Sequence, residues 1–315
     1  MLKNSTCTLL TFLISFLPLL TIAQDDLMSM LDDADTAETV SEHTKATFKT
    51  TRIINAQTTE TLKAKTLVFR INHRFGNVSD GGHGLFGFDN ASNIRFAFDY
   101  AMSDTWIIGI GRSKVNEHLD GNTKYKILAQ TTDNKMPISL AWFSNFAYTP
   151  RKSPENFDGS PRWTKQAHRF SYTHQLIIAR KFSPGFSMEV LPTFVHRNYV
   201  DSLQNISNEE WETNDLFAIG VAGRLKLTQR LSLVADYFYT FSKFRRSNDD
   251  FPYHAPLGIG IEIETGGHVF HVNFTNSSGI IENDFIPNTP DSWENNKGVK
   301  SGVKLGFNIS RVFYL

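Results

Sequence analysis

The sequence predicts an all-β protein, an antiparallel up-and-down transmembrane β-barrel of about 12 strands with short periplasmic turns and longer extracellular loops. Three observations carry this. Apolar and polar residues alternate with period two from about residue 61 to the end, the links between alternating segments are short and long in turn, and 13% of the residues are aromatic, with 26 Phe in 315. Alternation puts successive side chains on opposite faces of a strand. Alternating link lengths and aromatic girdles are features of outer-membrane barrels.

Taken in order, residues 1–23 read as an export signal, with Lys3 as the positive start, an apolar core over residues 9–22 and a small-residue cleavage site at Thr21-Ile22-Ala23. The mature chain is expected to begin at Gln24. Cys7, the only cysteine, lies within that signal and ahead of its apolar core, so the mature protein is expected to have no disulfide and no lipid-modified cysteine. Residues 24–60 read as an acidic periplasmic segment carrying Asp25, Asp26, Asp32, Asp33, Asp35, Glu38 and Glu42. It is expected to be mobile or transiently helical around Leu27 and Leu31, and it becomes Thr-rich near Arg52 and Asn55. No later stretch approaches the roughly 18 consecutive apolar residues of a membrane helix, so strands must do any crossing.

The barrel domain, 61–315, is expected to hold strands at 66–75, 92–101, 105–114, 124–132, 136–148, 169–182, 186–199, 215–228, 231–243, 257–265, 268–276 and 299–315. Most reach the roughly 9 to 11 residues of a tilted spanning strand. Leu257, Ile259, Ile261 and Ile263 alternate with Gly258, Gly260, Glu262 and Glu264, giving one oily face and one polar or tiny face. A soluble sandwich has the same period, so the links discriminate better. Those after even strands are very short, around Ser103-Asp104, Asn134-Lys135, Ser183-Pro184-Gly185, Gln229-Arg230 and Gly266-Gly267, whereas 76–91, 115–123, 149–168, 200–214, 244–256 and 279–298 are longer. Register adds a check, because paired residues share a face. A two-residue turn at Gly266-Gly267 sets Glu262 opposite His271, and three-residue turns set Arg224 opposite Asp236 inside and Tyr100 opposite Trp106 outside. Mid-strand Gly109, Gly111, Gly220, Gly258, Gly260 and Gly306 relieve crowding in a curved sheet. Val303, Leu305, Phe307, Ile309, Phe313 and Leu315 alternate like a terminal assembly strand, with Arg311 interrupting the apolar face.

The charged residues expected to face the lumen are Arg70, Arg74, Arg95, Asp99, Lys126, Glu189, Arg224, Lys226, Asp236, Glu262, Glu264, His271 and Lys304. An arginine or lysine on the lipid face near the midplane costs about 2 to 4 kcal/mol, which drives such residues inward. They read as a selectivity lining or as a salt-bridged interior that stiffens the barrel. His73, His168, His174, His268 and His271 have no HExxH or Cys/His spacing, and His73, His174 and His268 fall on outer faces, so no metal is assigned. A serine nucleophile elbow is missing, and the run from Gly81 to Phe88 lacks the ending of a phosphate-binding loop. Glycosylation triplets at Asn77, Asn205, Asn273 and Asn308 are attributed to composition, since two fall within strands. Net charge is zero without a basic stripe, which argues against nucleic acid. No catalytic residue and no cofactor are assigned; the expected partners are outer-membrane lipid, the barrel-assembly machinery through the last strand, and an unspecified small solute.

The segments Asn72-His73-Arg74-Phe75-Gly76, Gly84-Leu85-Phe86-Gly87-Phe88-Asp89 and Gly109-Ile110-Gly111-Arg112-Ser113 resemble an uncharacterised outer-membrane β-barrel family of Bacteroidota, domain of unknown function family 5777. The similarity runs from about Arg52 to the C-terminus, and implies the fold and an outer-membrane location but no catalytic residue. The expected function is a narrow channel, a transporter or a structural envelope protein. The alternatives are a barrel enzyme acting on lipid or surface polymer at the rim near 76–91 or 149–168, and a soluble exported β-sandwich or adhesin. A sandwich would bury Ile259, Ile261, Phe270 and Phe274 in a dry interior.

Overall fold

The computed structural model describes residues 42–294 and 301–315. The export signal, the acidic stretch up to residue 41 and the expected start of the last strand at 299 lie outside the described residues. Within them, twelve strands form one closed antiparallel barrel: β1 (Thr66–Asn77), β2 (Ala91–Ala101), β3 (Trp106–Ser113), β4 (Leu119–Leu128), β5 (Ser139–Tyr148), β6 (Phe170–Ser183), β7 (Phe186–Arg197), β8 (Asp215–Lys226), β9 (Leu231–Phe241), β10 (Leu257–Thr265), β11 (His268–Thr275) and β12 (Lys304–Tyr314). Each strand pairs with its sequence neighbours. The ring closes where β1 meets β12, with Asn72 opposite Asn308.

The two faces separate as period two dictates. Ile110, Phe217, Ile259 and Phe274 are exposed on the outside, at 66%, 59%, 49% and 45%, while Glu262, His271 and Asn273 on the inner face are buried. An apolar belt of this kind is suited to hydrocarbon rather than to water, and among the described residues no stacked second sheet covers it. Aromatic side chains gather at both rims. At the short-turn end Trp106 lies opposite Tyr125 and donates to Thr123 Oγ1 at 2.9 Å; at the loop end Phe146 stacks on Phe170, and Phe194 meets Phe217 at a tilt with centroids 5.1 Å apart. Arg311 does point outward, but it sits near the short-turn rim over the Phe313 ring, where the cost of a cation falls to about 0 to 1 kcal/mol.

Three sequence expectations are corrected. β4 begins at Leu119 rather than at 124, because Asp120-Gly121-Asn122, a turn-like tripeptide, is built into the strand opposite Gly111, Ile110 and Gly109. The link after β3 is therefore the short one and the link after β4, residues 129–138, the long one, which breaks the strict alternation there. The β8–β9 turn pairs Lys226 with Ser232, so Arg224 faces Val234 and Asp236 faces Ala222; the Thr228 hydroxyl accepts from the N–H groups of Arg230 and Leu231 and sets that turn. Likewise Tyr100 lies opposite Ile108, not Trp106.

The barrel is not hollow. Residues 43–60, expected as part of a periplasmic segment, enter from the short-turn end: His43 bridges to Thr131, residues near Ile53 and Ile54 form the tip, and Ala64 returns to the rim on Asp104. Phe48, Ile53, Ile54 and Ala56 are fully buried. The reason is local composition, since this stretch is rich in Thr and carries Lys45, Lys49 and Arg52 against Glu60 alone, unlike the acidic residues before it. From the other end the β11–β12 loop folds inward, burying Ile280, Ile281 and a single helical turn, Glu282–Phe285. Phe285 meets the inward ring of Phe238 edge-on, with centroids 5.0 Å apart.

Candidate functional site

The two inserts share an apolar cluster with wall residues such as Phe143, Leu191 and Phe238 and are also held by polar bonds to the wall. Asp236 on β9 accepts from the backbone N–H of Asn55 at 2.6 Å, from that of Ala56 at 3.0 Å and from Asn55 Nδ2 at 2.9 Å. Arg74 donates to Ile54 O at 2.9 Å and Asn308 donates to Ile53 O at 2.6 Å. Lys124 Nζ donates to Thr51 O at 2.6 Å and Thr58 O at 2.9 Å, clasping both limbs of the inner insert. Room for this approach comes from Gly258, where a Cβ would stand 2.7 Å from Ile54 Cγ2. The inserts join each other through a buried ion pair between Arg52 and Glu282. A buried charge needs a close partner to offset its lost hydration, and here each insert supplies the other's. The space left beside Arg52, Arg70, Arg95 and Lys124 is about 10 Å³, close to the minimum for one water.

Above the second insert, at the loop end, lies a vestibule of about 560 Å³. Its walls come from the links after β3, β5, β7 and β9, with Asn116, Arg151, Trp163, Arg169, Tyr199, Glu212, Arg245 and Tyr253, and its floor from Asn283, Asp284, Pro287 and Asn288. Glu212 binds two guanidiniums, Arg197 Nη2 at 2.7 Å and Arg245 Nη2 at 2.8 Å. Burial alone would raise the Glu212 carboxyl, but Arg197 and Arg245 outweigh it and hold it below the usual value. His118 Nδ1 lies 3.1 Å from Asp284 Oδ1. Burial opposes protonation of that imidazole, and the Asp284 carboxylate overrides it and raises the pKa. Burial pushes the Tyr253 phenol up to about 12, so it stays neutral while bonding Thr240 Oγ1 at 2.7 Å.

With the closed barrel, its oily belt and its filled lumen in view, residues 48–313 match the family described as Membrane bound beta barrel domain (DUF5777). The chain belongs to that family. It is a membrane β-barrel of the outer-membrane type. None of the curated proteins matches it. Solved structures that align with it include an outer membrane channel from Pseudomonas putida F1, at 11% identity over 81% of this chain and 98% of that one, TM-score 0.47. Another is the KdgM porin in complex with disordered oligogalacturonate, at 5% identity over 79% of this chain and 99% of that one, TM-score 0.45. A third is LpxR from Salmonella typhimurium, at 8% identity over 79% and 100% of the two chains, TM-score 0.36.

In this membrane-bound barrel the residues expected at the lumen divide into two groups. Arg70, Arg74, Arg95, Asp99, Glu189, Arg224, Asp236, Glu262, His271 and Lys304 are buried. Arg70 pairs with Asp99 at 3.1 Å, Arg95 forks onto Asp120, Arg224 and His271 meet on Glu262 at 2.7 and 3.1 Å, and Lys304 binds Asp291. Glu189 has no ion-pair partner among the described residues. Lys226 is exposed at the short-turn rim, and Lys126 and Glu264 are only half-buried, Glu264 bound to Lys49 at 2.8 Å. Inward alternation continues past the end of the enclosed space, and these three sit there. Of the sequon asparagines, Asn205, Asn273 and Asn308 are buried. His73, His174 and His268 lie on the outer face among aromatic rings, and His271 is inside on Glu262.

Sequence reasoning missed Asp120 and Lys124 on the wall and Arg52, Asn55 and Glu282 on the inserts. Asp120 fell in the stretch taken for a loop. A signal for the inserts was present in the apolar pairs Ile53-Ile54, Ile280-Ile281 and Phe285-Ile286, which stand inside segments that a solvated link has no reason to contain.

Proposed function

We propose that this protein loses residues 1–23 on export, is inserted into the outer membrane of a Bacteroidota cell by the barrel-assembly machinery acting on β12, and works there as a solute transporter or channel that is closed at rest. The N-terminal pattern around Lys3 and Ala23 and the family resemblance support the route; the filled lumen supports the function. One observation carries it: the Arg52–Glu282 pair ties two inserts together across the barrel and leaves about 10 Å³ beside it, so a solute passes only when an insert moves. The floor of the outer vestibule is itself one of those inserts, so a solute resting there touches the part that must shift.

Planar-bilayer recording tests this. Full-length protein is expected to show no steady open-pore current, while Glu282→Gln and a variant lacking residues 43–60 show frequent openings. A constant current through the intact protein overturns the closed state. Silence from the deletion variant, with its barrel verified by heat-dependent migration in SDS, makes the protein a structural barrel instead.

A further inference from the structure

We infer that the vestibule binds a small water-soluble solute bearing a ring and an anionic oxygen group, a carboxylate or a phosphate ester, and that Arg151 and Arg169 recognise the charge. This rests on the vestibule being the solute-facing side of a closed barrel. Its size, about 560 Å³, falls within the roughly 300 to 1,000 Å³ of small-molecule sites.

The charge assignment follows from which groups are already matched. Glu212 is shared by Arg197 and Arg245. Asp201 is taken by Arg162 at 3.1 Å, and Asp284 by His118. Among the described residues, two guanidiniums on the wall, Arg151 and Arg169, have no acidic partner, and the one carboxylate left unmatched there is the exposed Asp250. The four arginines of the lining equal its four carboxylates in number, but Arg151 and Arg169 face the space with no carboxylate paired to them, which favours an anionic occupant beside them.

Both arginines are also held in place. Arg169 Nη1 donates to Thr149 O at 3.1 Å and to Arg151 O, and its guanidinium lies 5.1 Å from the centre of the Trp163 ring. Arg151 Nη1 donates to Asn116 Oδ1 at 3.0 Å. Each bond uses part of a planar group that has five N–H donors, so donors remain available on both residues. A guanidinium fixed in this way grips a carboxylate or phosphate in two-pronged fashion with little ordering left to do. Trp163, Tyr199 and Tyr253 supply aromatic surface for a ring beside the anion.

The test uses full-length detergent-solubilised protein and four probes on one hexose frame: glucuronate, glucose 6-phosphate, glucose and glucosamine. Calorimetry is expected to show at least one of the two anions binding about tenfold or more tighter than glucose, with glucosamine weakest. The tighter of the two anions assigns carboxylate or phosphate. Arg169→Gln and Arg151→Gln should each lower anion affinity by about tenfold and leave glucose unchanged, whereas Lys135→Gln at the opposite rim has no effect. Equal affinity for glucose and both anions, no binding of either anion, or indifference to both arginine substitutions overturns the inference. The bilayer experiment needs no solute, so its outcome is independent of this one.

Discussion

Asp236→Ala removes the carboxylate from which the tip of the inner insert hangs. Two backbone N–H groups, those of Asn55 and Ala56, donate to it at 2.6 and 3.0 Å, with Asn55 Nδ2 as a third donor at 2.9 Å. Hydrogen bonds to a charged acceptor contribute about 1.5–3 kcal/mol each. Taking the low end for the two backbone bonds, and nothing for the side chain, gives about 3 kcal/mol against local opening. At tenfold per 1.4 kcal/mol this is a rise of about 150-fold in the opening equilibrium. Hydrogen–deuterium exchange of peptides covering residues 50–58 reads that quantity directly. Asp236→Asn keeps one acceptor oxygen and is expected to fall between the alanine variant and the wild type. Arg74 and Asn308 still bond the tip, and the closed ladder of strands keeps the barrel itself intact. Exchange at Asn55 and Ala56 that stays within about threefold of wild type in the alanine variant refutes the anchoring role, since even one lost bond predicts about tenfold.

Two further outcomes follow from the same structure. Glu212, held below its ordinary value of 4.5 in the folded protein despite burial, adds stability that is fully present above pH 4.5 and is lost as pH falls through the depressed folded value; the fluorescence of adjacent Trp211 should change only below that pH, and Glu212→Gln should abolish the step. Val221 faces outward midway along β8, so Val221→Lys should lower the free energy of folding into lipid vesicles by about 2 to 4 kcal/mol, measured by urea titration; an unchanged midpoint and slope contradicts a lipid-facing belt.

Much of the wall was legible because alternation is a local signal. Whether a residue faces lipid or lumen depends on its parity within a strand, and Arg95, Glu262 and His271 needed nothing more. Register was only partly legible for the same reason: a shift of two residues keeps every side chain on its face, so parity cannot distinguish Arg224 opposite Asp236 from Arg224 opposite Val234. Chemistry at the turn decides, as the Thr228 hydroxyl does. At Gly266-Gly267 the two-residue turn left no such freedom, and Glu262 does pair with His271. The inserts were hidden because their partners are remote in sequence. Nothing near Arg52 announces Glu282, and nothing near Asn55 announces Asp236. The vestibule is assembled from several separate links, each reading alone as an ordinary polar loop.

The clasp between Asn308 and Ile53 joins residues separated by 255 positions, and this reverses the order of construction relative to the order of synthesis. The inner insert is translated before any part of the wall, yet one of its anchors arrives only with β12, the strand that also shuts the ring against β1. Until then Ile53 and Ile54 have no enclosure to enter. Barrel closure and full docking of the inner insert are consequently coupled, and a chain stalled short of its last strand holds that insert without the Asn308 anchor.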